Sequence, residues 1–121
     1  MTRTRHYRDL VVWQKAMLLA KETYHNTERF PSNETFGLRS QMRRSAVSVA
    51  SNIAEGHGRL TDGQLKNSLG MARGSLFELE TQIAIAADLK FLDREAADHL
   101  LGLSTETAKL INGLLGVLHT E

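Results

Sequence analysis

The sequence predicts an all-α protein, an antiparallel up-down-up-down four-helix bundle. Three observations carry that prediction. Apolar residues recur at helical intervals in four separate segments. Short interruptions around Pro31, Gly56 to Gly58 and Phe91 to Asp93 divide those segments. No segment alternates apolar and polar residues as a half-buried strand does. Short connections make consecutive helices antiparallel neighbours, which is the bundle arrangement.

The first helix is predicted from about Asp9 to Thr27. Leu10, Trp13, Met17, Ala20 and Tyr24 share one face and form its expected core stripe, with Val11 and Leu18 off it. Pro31 blocks continuation and pushes Phe30 towards an extended conformation. The second helix is expected from Glu34 or Thr35 to Glu55, with Leu38, Met42, Val49 and Ile53 inward. Gly56-His57-Gly58 ends it, glycine being suited to a left-handed cap. A polar line of Gln41, Ser45, Ser48, Asn52 and Glu55 borders this core. Together with Glu80 it is expected to be a buried structural network that fixes helix register.

Thr61 or Asp62 caps the third helix, which should end near Lys90. Leu65, Leu69, Ala72, Leu76, Leu79, Ile83, Ala86 and Lys90 follow a heptad pattern, with only the last polar. Gly70 and Gly74 each cost up to about 1 kcal/mol against alanine inside a helix, which points to close helix approach. Asp93 caps the fourth helix, expected to reach about Leu118. That helix has two apolar stripes where one closes a bundle. The surplus stripe, with Leu101, Ile111, Leu115 and Leu118, is the expected oligomer interface. The pattern implies an oligomer without giving a subunit count.

At 121 residues the chain reads as a single domain, 1–121, with a short basic N-terminal arm over about residues 1–8. The absence of cysteine excludes disulfides, thiolate metal sites and cysteine nucleophiles. No apolar run approaches the roughly 20 residues of a membrane helix, and the opening residues, with no long apolar stretch after them, are not expected to act as a secretory signal. A cytoplasmic protein with no membrane partner is therefore expected. Glu22-Thr23-Tyr24-His25 is a lone Glu-x-x-His, whereas di-iron bundles use two with further glutamates. Glu95 and His99 lie one turn apart and read as an exposed pair. Ser48, Asn52 and Glu55 lack a matching base and oxyanion site. The sequence thus predicts no catalytic residue, metal or cofactor, and no enzyme.

Charge is uneven. Residues 1–75 hold 12 Lys+Arg against 6 Asp+Glu, and residues 76–121 hold 3 against 8. Guanidinium groups match phosphate oxygens, so Arg3, Arg5, Arg39, Arg43, Arg44 and Arg59 are the nucleic-acid-binding candidates. The competing expectation is that basic and acidic helices face each other, with an arginine paired to Glu55, Glu78 or Glu80 inside the bundle.

Several ordered motifs carry a family resemblance. They are Trp13-Gln14-Lys15-Ala16, Phe30-Pro31 with Phe36-Gly37-Leu38, Gln41 to Ser48, Ser51 to Gly56, and Ala72 to Gln82. Together, over about residues 7–118, the chain resembles the bacterial four-helix-bundle proteins encoded in intervening sequences of large-subunit ribosomal RNA genes. The resemblance implies a cytosolic bundle assembled as a ring-like homopentamer. A related branch, the accessory variability proteins of diversity-generating retroelements, binds nucleic acid and a reverse transcriptase through a basic surface. This chain is far less basic than that branch. Ala50 stands where many relatives have proline, so a more regular second helix is expected. Two functions stay open. One is a non-catalytic homo-oligomer, pentameric by resemblance, that binds RNA, DNA or a nucleoprotein partner through its basic face. The other is a scaffold that binds only protein.

Overall fold

A computed structural model describes residues 6–118. Four helices make up the bundle: α1 (Val11–Asn26), α2 (Leu38–His57), α3 (Asp62–Asp88) and α4 (Arg94–Val117). Short 3₁₀ turns precede α1 at Tyr7–Asp9 and α2 at Ser32–Glu34. Each helix packs on two others: α1 on α2 and α4, and α3 on α2 and α4, leaving α1–α3 and α2–α4 as diagonals. The chain therefore goes up, down, up and down around one core, and no described helix is long and apolar enough to cross a membrane.

The core agrees with the expected stripes in α2 and α3. Met42, Val49 and Ile53 are enclosed, as are Leu69, Ala72, Leu76, Leu79, Ile83 and Ala86. In α1 the buried face is instead Val12, Ala16, Leu19, Ala20 and Thr23. Trp13 and Met17 are pushed to its flank, and Tyr24 is exposed. Threonine enters the core because its hydroxyl finds a partner on its own helix. Thr23 Oγ1 donates to the Leu19 carbonyl and Thr27 Oγ1 to that of Thr23, both at 2.8 Å. Thr107 does the same towards Leu103 in α4. Both α4 stripes supply core residues, among them Leu100 and Leu103 from one, and Ala97, Ser104 and Ile111 from the other.

The helix ends are set by local chemistry. Thr61 Oγ1 accepts from the Gln64 amide and Asp93 Oδ1 from the Ala96 amide, as N-caps do. The α2 C-cap, Gly58, has φ −82° rather than the left-handed value expected, and no described glycine has positive φ. The left-handed residue is Lys90, at φ 66°. It follows α3 rather than extending its heptad: Phe91 N–H donates to the Ala86 carbonyl at 2.8 Å and Lys90 N–H to that of Ala87 at 3.0 Å. That is a Schellman ending in which lysine holds the position usually given to glycine. Helix α2 runs unbroken through Ala50, as its departure from proline predicts.

Close helix approach occurs at Gly56, not at Gly70 or Gly74. A Cβ on Gly56 would lie 2.8 Å from Ser68 Cβ and 3.1 Å from Leu65 Cδ1, so a methyl group there forces α2 and α3 apart. Added Cβ atoms at Gly70 and Gly74 meet nothing within 4 Å, so packing within the subunit does not require these glycines.

Candidate nucleic-acid interface

The basic residues gather where α1 ends and α2 begins. Helix α1 stops at Asn26, where turn amides already meet the Thr23, Tyr24 and His25 carbonyls and the negative end of the helix dipole faces α2. Arg43 reaches across from α2 to this end. Its Nε donates to Thr27 Oγ1 at 2.9 Å and its Nη2 to the Tyr24 carbonyl at 3.1 Å. Its guanidinium lies 4.4 Å from the centre of the Tyr24 ring, a cation–π contact. Three attachments thus hold Arg43 in place.

Arg39 lies one turn earlier on the same helix. A Glu28 carboxylate oxygen stands 3.9 Å from Arg39 Nη2 and 4.0 Å from Arg43 Nη2. Both separations exceed hydrogen-bond length, and Glu28 is mostly exposed, so water and salt weaken the attraction. Arg44 is exposed and has no carboxylate partner among the described residues. Helix α2 begins at Gly37, which offers no side-chain cap. Glu34 accepts from the Leu38 amide at 2.8 Å, while the Arg39 and Ser40 amides have no partner among the described residues. The Glu34 carboxylate offsets part of the positive end of α2.

Tyr24, Thr35, Arg39, Ser40, Arg43 and Arg44 line one open pocket of about 380 Å³. It is lined by three arginines and three hydroxyl-bearing residues, with the carboxylates of Glu28 and of Glu34, which accepts from the Leu38 amide, nearby. Such a set can hold the oxygens of a phosphate by charge-assisted hydrogen bonds. Among the described residues no three potential ligands cluster around a metal position.

The other predicted site residues are dispersed. Arg3 and Arg5 lie outside the described residues. Arg59 sits at the opposite end of α2, where its Nη2 donates to Glu55 Oε1 at 2.6 Å. The expected buried network therefore divides. Glu55 and Gln41 are exposed, and Glu55 pairs on the surface because it lies one turn before Arg59 on the same face. Asn52 is part-buried and donates within its own helix to the Ser48 carbonyl, at 2.9 Å, and hydroxyl. Ser48 meets Ser75 of α3 at 2.9 Å, Ser104 donates to Glu80 at 2.6 Å between α4 and α3, and Ser45 is buried. These are separate interhelical links. His99 pairs with Glu22 across α1 and α4 at 2.8 Å rather than with Glu95.

The expected interface stripe also needs correction. Ile111 is 0% exposed in the single subunit, so it belongs to the core and cannot meet a partner. Leu101, Leu115 and Leu118 are half-buried against the core. Val11 and Leu18 on α1 are exposed, as are Met71, Phe77, Ile85 and Leu89 on the α3 side. The pocket residues that sequence patterning missed are Tyr24, Thr35 and Ser40. Spacing predicts Tyr24 in the core, and Thr35 and Ser40 carry no motif.

Comparison with known proteins agrees with the fold. The family model described as 23S rRNA-intervening sequence protein matches residues 8–113. The chain is similar to a crystal structure of a protein with unknown function from the S23 ribosomal protein family of Bacteroides thetaiotaomicron. Identity is 23%, covering 87% of this chain and 98% of that one, with a TM-score of 0.79. No curated protein matches.

Proposed function

We propose a function for this chain from one premise: it belongs to the 23S rRNA-intervening sequence protein family. It is a non-catalytic, self-assembling bundle protein that binds nucleic acid through phosphate. The observation that carries this reading is the convergence of Arg39, Arg43 and Arg44 on one open pocket, with Glu28 beyond hydrogen-bond length of Arg39 and Arg43, and Glu34 hydrogen-bonded to the Leu38 amide. Phosphate contacts of this kind position a strand without reading its sequence. A cytoplasmic location goes with this reading.

Self-assembly is supported by exposed apolar side chains on more than one helix. Val11 is 57% exposed, Leu18 42% and Val117 50%, and the half-buried Leu101, Leu115 and Leu118 add to α4. Covering such patches favours association. The number five comes from the family resemblance, as a closed ring joined through two different surfaces of each subunit. The second reading, a scaffold that binds only protein, draws on Met71, Phe77, Ile85 and Leu89.

Light scattering and RNA titration test the two halves separately. A pentamer mass is expected at micromolar concentration; a monomer refutes assembly. A labelled mixed-sequence RNA should bind at 50 mM salt and weaken steeply by 200 mM, because bound phosphates release counterions. No binding at 50 mM selects the protein scaffold.

A further inference from the structure

One residue along the chain from the arginine pocket is an aromatic side chain that the bundle core does not use. Phe36 directly follows Thr35, a pocket residue, and is 94% exposed. Its turn is braced: Thr35 Oγ1 donates to the Ser32 carbonyl at 2.8 Å, and the Gly37 amide to the Glu34 carbonyl at 3.1 Å. The ring thus projects from a fixed turn, and no ring or cation among the described residues stacks on it. The neighbouring aromatics are already engaged, Tyr24 by Arg43 and Phe30 by Phe91. The opposite turn exposes Leu60 almost as fully, at 93%, but a leucine offers no π-face and the arginine beside it is paired with Glu55.

We infer that Phe36 and the arginine pocket form a site for unpaired nucleotides, with a phosphate among Arg39, Arg43 and Arg44 and a base stacked on the Phe36 ring. This rests on the nucleic-acid reading above and adds strand selectivity to it. Every base has a π-face, so stacking is tolerant of sequence, as phosphate binding is. In a duplex the bases are stacked on one another and cannot lie on the ring, so the combination favours single strands.

Fluorescence anisotropy with a labelled 12-nucleotide mixed-sequence RNA and with its duplex tests the inference. The proteins are the wild type, Phe36→Ala, Phe36→Leu and Phe36→Tyr. The single strand should bind more tightly than the duplex. Phe36→Ala and Phe36→Leu should weaken single-strand binding about 5- to 100-fold, Phe36→Tyr should retain it, and duplex binding should not change. An exposed ring leaves the melting temperature unaltered, which separates stacking from a folding defect. Equal losses on strand and duplex, or full retention by Phe36→Leu, would overturn the stacking role while leaving the phosphate reading intact. A change of assembly mass in Phe36→Ala would show the ring to be a contact between subunits, and would overturn it too. Failure of both probes to bind the wild type removes the nucleic-acid reading itself, and this inference with it.

Discussion

The two ends of α2 hold arginines in opposite circumstances. At its start, Arg39, Arg43 and Arg44 line a concave pocket; Glu28 stands too far from Arg39 and Arg43 to hydrogen-bond, and Glu34 is held by the Leu38 amide. At its end, Arg59 closes on Glu55 at 2.6 Å, and the pair stays in solvent. The residue type is the same and the helix is the same. What differs is the supply of carboxylates one turn away and the neighbouring element. Near its start, α2 meets the α1 C-terminus, whose carbonyl and hydroxyl oxygens hold Arg43 without neutralising its charge. An arginine count therefore overstates a phosphate surface, and the carboxylates within reach correct it.

Reversing charge at the pocket should produce the largest effect. Arg39→Glu with Arg44→Glu is expected to weaken RNA binding about 100-fold or more at low salt, since each charged hydrogen bond is worth about 1.5–3 kcal/mol. Arg59→Glu should change it far less. Similar losses at both ends would break the comparison.

The same contrast between occupied and open surroundings holds for the glycines. Gly56→Ala places a methyl group 2.8 Å from Ser68 Cβ, and is expected to destabilise by about 1–3 kcal/mol in urea unfolding. Gly74→Ala meets open space and should stabilise by about 0.4–1 kcal/mol, provided no partner subunit covers it. A loss at Gly74, coupled to dissociation, would place that face in the assembly. Lys90→Gly removes a left-handed lysine and should raise stability by about 1 kcal/mol, read from the same unfolding curves.

The smallest expected effect concerns pH. Lys15 Nζ donates to Glu106 Oε1 at 2.7 Å between α1 and α4, and this bond, with the lysine's charge, holds the Glu106 carboxyl below its ordinary value. A depressed carboxylate contributes stability above its unfolded pKa. That contribution is lost as pH falls through the lowered folded value. Lys15→Met should flatten the acid limb of a melting-temperature profile slightly and leave the binding of RNA unchanged.

The sequence shows the bundle more clearly than the site. The heptad from Leu65 to Ala86 and the caps Thr61 and Asp93 are legible because they are periodic or local. Apolar spacing alone misplaces the α1 face, because it passes over Thr23, whose hydroxyl bonds its own helix and lets it be buried where Tyr24 is expected. Two adjacent stripes in α4 cannot be ranked until α1 and α3 are in place on either side, which is why the sequence puts the buried Ile111 at an interface. The arginines are legible in the sequence, but their division into a pocket and a surface pair is not. Glu28 and Tyr24 come within reach of Arg43 only through the turn after α1.

The most direct measurement of the central claim is the salt dependence of single-stranded RNA affinity for wild type, Arg44→Ala and Arg59→Ala. If the α1–α2 pocket holds phosphate, Arg44→Ala lowers the log–log slope by about 0.7, the value of one phosphate contact on a single strand, and Arg59→Ala leaves it unchanged. An unchanged slope in Arg44→Ala with a reduced slope in Arg59→Ala would place the contact at the other end of the helix and contradict the account.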